Sequence, residues 1–172
     1  LFARHTSHSS LPCIATQVQG YTIYGSPWQP GCRETETDWA FNLARGAESE
    51  ARWKTIPAAV DVLMTHGPPL GCGDFVSPAY RYVGDENLRN AIEQRAVSAH
   101  VCGHIHEGYG HAVRGGTLFI NAATFDSRRQ PFNPPVVFDC PPPSVLREAA
   151  ARALRLRQQR SDSALDHWGF HR

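Results

Sequence analysis

Two stretches share one grammar and limit what this chain can fold into. Val62-Leu63-Met64-Thr65-His66-Gly67-Pro68-Pro69 and Val101-Cys102-Gly103-His104-Ile105-His106-Glu107-Gly108-Tyr109-Gly110 each pass from an apolar run into a histidine on a glycine-bearing turn. From Val60 to Met64 only Asp61 interrupts the apolar character, the pattern of a central strand covered on both faces. Two strands that end in histidines predict a sheet with one site built at the end of its strands. Loops carried on a rigid scaffold are where such sites sit.

The remaining chain supplies elements for that sheet. Val18 to Tyr24 alternates, is rich in β-branched and aromatic residues, and reads as a strand. The Pro- and Gly-rich loop from Gly25 to Gly31 ends it. Trp28, Trp39 and Phe41 follow with little period, and aromatic residues in such a segment are expected to pack on their own domain. Ala47 to Thr55 predicts a short helix anchored by Trp53. Residues from Gly67 to Tyr82 read as loop. Asp85 predicts an N-cap for a helix to about Ala96, with Leu88, Ala91, Ile92 and Ala96 on one face. His100 to Cys102 is a short strand. Ala112-Val113 and Thr117 to Ile120, joined by Gly115-Gly116, predict a hairpin. Val136 to Phe138 predicts a last strand. Ser144 predicts the start of a basic amphipathic helix to about Arg160, expected to dock on its own domain. His5 and His8 lie among serines in what reads as solvated coil. The expected division is 1–141 as the domain and 142–172 as a basic helical or partly disordered tail.

Composition narrows the function classes. The 172 residues carry a net charge of +1 and are 41% hydrophobic, enough for a core and without a nucleic-acid footprint. No apolar run reaches the roughly 18 residues of a membrane span. Five cysteines at 13, 32, 72, 102 and 140 form no CxxC pair and read as free thiols of a reducing, cytoplasmic compartment. The chain starts at Leu1 and its one methionine is Met64, so a processed chain or a fragment of a longer one is expected.

Imidazole is a good ligand for borderline divalent metals, and three neutral histidines could hold one zinc ion with an open position. His104 and His106 could instead address two nearby metals, or a metal and a phosphate. A two-metal site would also need carboxylates, because a bridging Asp and a hydroxide offset two dications.

The segment from Tyr21 to Pro141 resembles the C-terminal part of a calcineurin-like metallophosphoesterase, of the metallophosphoesterase-domain-containing subfamily. The resemblance rests on Ile23-Tyr24-Gly25-Ser26-Pro27-Trp28, Phe41-Asn42-Leu43, Thr65-His66-Gly67-Pro68-Pro69-Leu70-Gly71, Gly103-His104-Ile105-His106-Glu107-Gly108-Tyr109-Gly110, Ile120-Asn121-Ala122, and Asn133-Pro134-Pro135 leading into Phe138-Asp139. It implies an α/β (α+β) fold of mixed sheets flanked by helices. It also implies two divalent ions (Mn, Fe or Zn) and hydrolysis of a small phosphodiester or phosphomonoester by a metal-bridging hydroxide. His66 and His104 would bind the second metal and His106 the first. Asn121, Gly67 and Gly103 would support the site.

The departures from the family pattern matter as much. No Asp has a His two residues on. Gly73-Asp74 and Gly84-Asp85 lack a second Asp three residues later, and no Gly-Asn-His occurs. The bridging carboxylate, the Asn ligand and the general-acid His of the family are therefore not in this chain, and the N-terminal half of the fold is expected to be missing. Weak or absent activity is expected, with a non-catalytic metal- or partner-binding remnant as the alternative.

Overall fold

The computed structural model describes residues 13–31, 40–77 and 81–159. His5, His8, Cys32, Trp39 and the end of the C-terminal segment lie outside them. In chain order the elements are β1 (Ile14–Val18), β2 (Tyr21–Ser26), β3 (Gln29–Pro30), β4 (Asn42–Leu43), α1 (Ala47–Trp53), β5 (Ala59–Thr65), β6 (Phe75–Val76), β7 (Arg81–Tyr82), α2 (Glu86–Glu93), β8 (Ala96–Cys102), β9 (Gly110–Arg114), β10 (Thr117–Asn121) and α3 (Pro143–Gln159). The expected α/β class holds. Six strands form one mixed sheet in the order β1-β2-β5-β8-β10-β9. The inner four are parallel, and β1 and β9 pair antiparallel at the two edges. The pairs β3–β4 and β6–β7 form separate small sheets.

The register explains why β5 and β8 are so apolar. Leu63 lies opposite Tyr24 on one side and His100 on the other, and His100 lies opposite Phe119. Cross-strand neighbours share a face, so these side chains form one row across four strands. They are buried, and Tyr24, Leu63 and Phe119 belong to one core with Trp53, Leu88 and Ile92 from the helices. Trp28 packs edge-on against Phe41 in the same core, as expected for that aromatic segment.

Asp85 is the cap that the α2 sequence predicts. Its Oδ1 accepts from the Asn87 and Leu88 amides, and its Oδ2 accepts from Ser49 Oγ at 2.6 Å and from the indole N–H of Trp53. One carboxylate thus starts α2 and holds α1 against it. The guanidinium of Arg95 donates to Lys54 O, Ile56 O and Ala91 O, carbonyls left open where α1 and α2 end.

Four expectations are corrected. Val18 to Tyr24 is not one strand. Gln19 and Gly20 both take positive φ, 50° and 85°, and turn the chain into a β1–β2 hairpin. The segment Gly67 to Tyr82 carries the short β6 and β7 rather than loop alone. Helix α2 ends at Glu93, because Ala96 is drawn into β8 by its amide bond to Ala58 O. Val136 to Phe138 forms no strand: Val137 is 90% exposed, and the two preceding prolines offer no ladder donor.

Helix α3 lies along the end of the sheet where the parallel strands begin. Arg147 Nη2 donates to Gly20 O at 2.6 Å and to buried Asp61 Oδ2 at 2.8 Å, and that same carboxylate oxygen accepts from the Thr22 amide. Ala150 is buried, and a Cβ at Gly116 would overlap Ala153. Arg157 donates to Ile92 O and Arg95 O at the end of α2. Of the segment 142–172, the described helix therefore docks on the domain. No helix among the described residues is long and apolar enough to cross a membrane.

Candidate metal-ligand pair

The opposite end of the sheet, where the parallel strands finish, carries the histidines. Open sheets place ligands outside the carboxyl ends of their strands. His66 is the first residue after β5, and His104 the second after β8. Their rings lie with centroids 4.7 Å apart, and His66 Nε2 is 3.1 Å from His104 Nδ1. Neighbouring imidazole ligands on one ion, each with a metal–nitrogen bond of about 2.0–2.1 Å, are separated by about 3–3.4 Å. That contact is a ring-to-ring hydrogen bond, and its length is also the spacing of two ligands on a shared cation. His66 is exposed at its edge, yet partial burial lowers its pKa from the ordinary imidazole value of 6.5. That shift favours the neutral ring, the form that ligates a metal.

Both loops are held by backbone bonds. His104 has φ 68°, and the Ile105 amide donates to Gly103 O at 2.7 Å, closing a γ-turn around His104. A non-glycine residue in this conformation costs about 1–3 kcal/mol and persists only where its surroundings impose it. The Gly103 amide donates to His66 O at 3.0 Å and ties one loop to the other. The Pro68-Pro69 stretch is fastened to the start of α2: the Asp85 amide donates to Pro68 O, and the Leu70 amide to Asp85 O, each at 3.0 Å.

Asn121 is fully buried at the end of β10. Its Nδ2 donates to Gly73 O and to Ile105 O, both at 2.8 Å, and its Oδ1 accepts from the Ala123 amide. Its side chain thus braces the loop that carries His104. Gly67 and Gly103 would accept a Cβ at ordinary contact distance, so packing alone does not require glycine there. The tight glycine is Gly108, where a Cβ would overlap Gly73 O.

His106 stands differently from the pair. It opens a 3-10 turn, and its ring stacks on Phe125 with centroids 5.9 Å apart. Among the described residues, no three His, Cys, Asp or Glu side chains come together as a group able to hold a metal ion. The structure thus unites His66 with His104 and adds neither His106 nor a carboxylate as a third ligand. Beneath the pair lie Thr65, which the sequence places only in the Thr65-His66-Gly67 stretch, and His100, which it places only in a strand. The available signal was a histidine inside an apolar run.

No family profile matches the chain. It is 46% identical over 127 residues to metallophosphoesterase domain-containing protein 1 of Homo sapiens, covering 73% of this chain and 38% of that protein. It is 46% identical over 125 residues to UPF0046 protein T07D4.2 of Caenorhabditis elegans, covering 73% of this chain and 31% of that one. UPF0046 protein C25E10.12 of the same organism is 40% identical over 133 residues, covering 74% and 45%. The chain thus spans less than half the length of each of these relatives.

Proposed function

The chain belongs with the metallophosphoesterase-domain proteins over the part it shares with them, and from that premise we propose that it carries part of a metal-dependent phosphoesterase centre. His66 and His104 are assigned as two ligands of one divalent ion (Mn, Fe or Zn), and His106 as a ligand of the other. Phosphodiesters are the favoured substrates, with phosphomonoesters as the alternative. The observation that carries this reading is the 3.1 Å separation of His66 Nε2 and His104 Nδ1 at the strand ends.

The donor set fits a fraction of such a centre. Two imidazoles on one ion leave coordination positions to fill, and the described residues bring no carboxylate to them. When bound, two such ions supply charge neutralisation to phosphoryl oxygens and lower the pKa of water. What this chain contributes is orientation. The strained turn at His104 and the Gly103–His66 bond hold two ring nitrogens at ligand spacing. Asn121 fixes the loop behind them.

The test is hydrolysis of bis-p-nitrophenyl phosphate with added manganese. Turnover by this chain is expected to be far below that of a complete enzyme, and to vanish in His66→Ala, in His104→Ala and on chelation. Turnover that survives either substitution contradicts the assignment, and a full rate contradicts the incompleteness. That the described residues bring no third ligand to the pair favours a second reading, a metal-binding remnant without catalysis. One tightly held ion with no turnover would select it.

A further inference from the structure

Beneath the histidine pair lies a polar chain within the apolar core. His100 is completely buried between Leu63 and Phe119, and its Nε2 is 2.8 Å from Thr65 Oγ1. Thr65 Oγ1 is also 2.7 Å from Gly67 O, to which it donates. A hydroxyl has one proton, and the carbonyl takes it. The second bond must therefore come from the N–H at His100 Nε2, which sets the tautomer. His100 Nδ1 is then a bare acceptor, and it has no hydrogen-bond partner among the described residues. Burial pushes the His100 pKa down to about 3, so the ring is neutral near neutral pH.

An aliphatic side chain would fill this position without leaving a buried acceptor unpaired. What the imidazole adds is the N–H toward Thr65. The residues on either side of His66 are thereby held: Thr65 from below by His100, and Gly67 through its carbonyl. His66 O is meanwhile bonded to the Gly103 amide, one residue before His104.

We propose that His100 and Thr65 are positioning residues that set the separation of His66 and His104, through the relay His100 Nε2–H to Thr65 Oγ1 to Gly67 O. Neither touches the ion. The metal consequence rests on the ligand reading given above, whereas the geometric consequence does not.

Two readouts on the whole chain separate these. The first is titration with cobalt(II) chloride, followed by its visible absorption. Thr65→Val, which keeps the shape and removes the hydroxyl, and His100→Leu are each expected to weaken cobalt binding about tenfold or more, the range for residues that orient metal ligands. Thr65→Ser, which keeps the hydroxyl, and His100→Gln, which offers an N–H in the same region, are expected to stay within about threefold of the parent by the same reasoning. The second readout is the imidazole 15N spectrum of the metal-free chain. The parent and Thr65→Ser are expected to show one proton shared between His66 and His104, and Thr65→Val to lose it.

If the parent takes up no cobalt but Thr65→Val still disrupts the shared proton, the positioning role stands and the ligand reading falls. If cobalt binds and Thr65→Val leaves both readouts unchanged, the positioning role is overturned. Should Thr65→Val unfold, as judged by circular dichroism, the comparison of His100→Gln with His100→Leu decides in the same way.

Discussion

His104 occupies a backbone conformation that glycine would adopt at less cost. With φ at 68° inside a γ-turn, its Cβ is crowded against its own backbone. His104→Gly should therefore stabilise the fold by about 0.5–1 kcal/mol while removing one ligand nitrogen. Urea denaturation measures the first effect, and cobalt uptake the second. A substitution that stabilises and disables together marks a residue held for function. Buried Asn121 is the opposite case. Asn121→Leu leaves Gly73 O and Ile105 O without their donor, and each such loss costs about 1–3 kcal/mol. Its unfolding midpoint should fall accordingly.

His100 gives the pH dependence a definite sign. Its pKa drops from 6.5 in the open chain to about 3 in the fold, so between these values the unfolded state carries a proton that the folded state does not. Stability must then fall as pH falls through that window, by about 1.4 kcal/mol per pH unit from this group alone. Above pH 6.5 both states are neutral and the contribution is flat. His100→Gln should remove that slope, as read from urea midpoints at a series of pH values.

At the scale of elements, the domain depends on a few side chains that serve two elements each. Asp85 caps α2 and accepts from Ser49 and Trp53 of α1. Asp85→Ala should cost about 3 kcal/mol, from the lost cap and two buried donors left unpaired. The α1–α2 pair should open first in hydrogen exchange. Gly116 marks where α3 meets the β9–β10 turn. Its φ of 85° and the overlap of an added Cβ with Ala153 mean that Gly116→Ala should destabilise by about 1–3 kcal/mol and loosen α3.

Legibility at this scale followed local chemistry. The Asp85 cap, the Gly115-Gly116 hairpin and the buried runs of β5 and β8 carry signals within a few residues. The hairpin at Gln19-Gly20 was missed because Gln is a weak turn marker and the strands on both sides are similar. Val136 to Phe138 has strand-like residues but no partner edge, and pairing is not a local property. The relay from His100 to Gly67 spans β5 and β8, so only the parallel register brings it together.

Across the whole molecule, the polarity of the sheet separates two groups of residues. The strand starts carry α3 and its arginine contacts, and the strand ends carry the His66–His104 pair. Of the stretches that resemble a phosphoesterase, the two that carry His66 and His104 lie at the ends of β5 and β8, and a relative at 46% identity is named for the metallophosphoesterase domain. That two of the three histidines would meet, and that no third ligand among the described residues would join them, was not readable from spacing. Gly-His-Ile-His places two imidazoles close in sequence, but the γ-turn at His104 sends their rings in different directions, one to His66 and one to Phe125.

The most direct measurement is the metal content of this chain at saturation, by cobalt titration of the parent, His66→Ala and His104→Ala. The account predicts no more than one tightly held ion per chain, lost in both variants. Two tightly held ions, or one that persists without His66 or without His104, would contradict it.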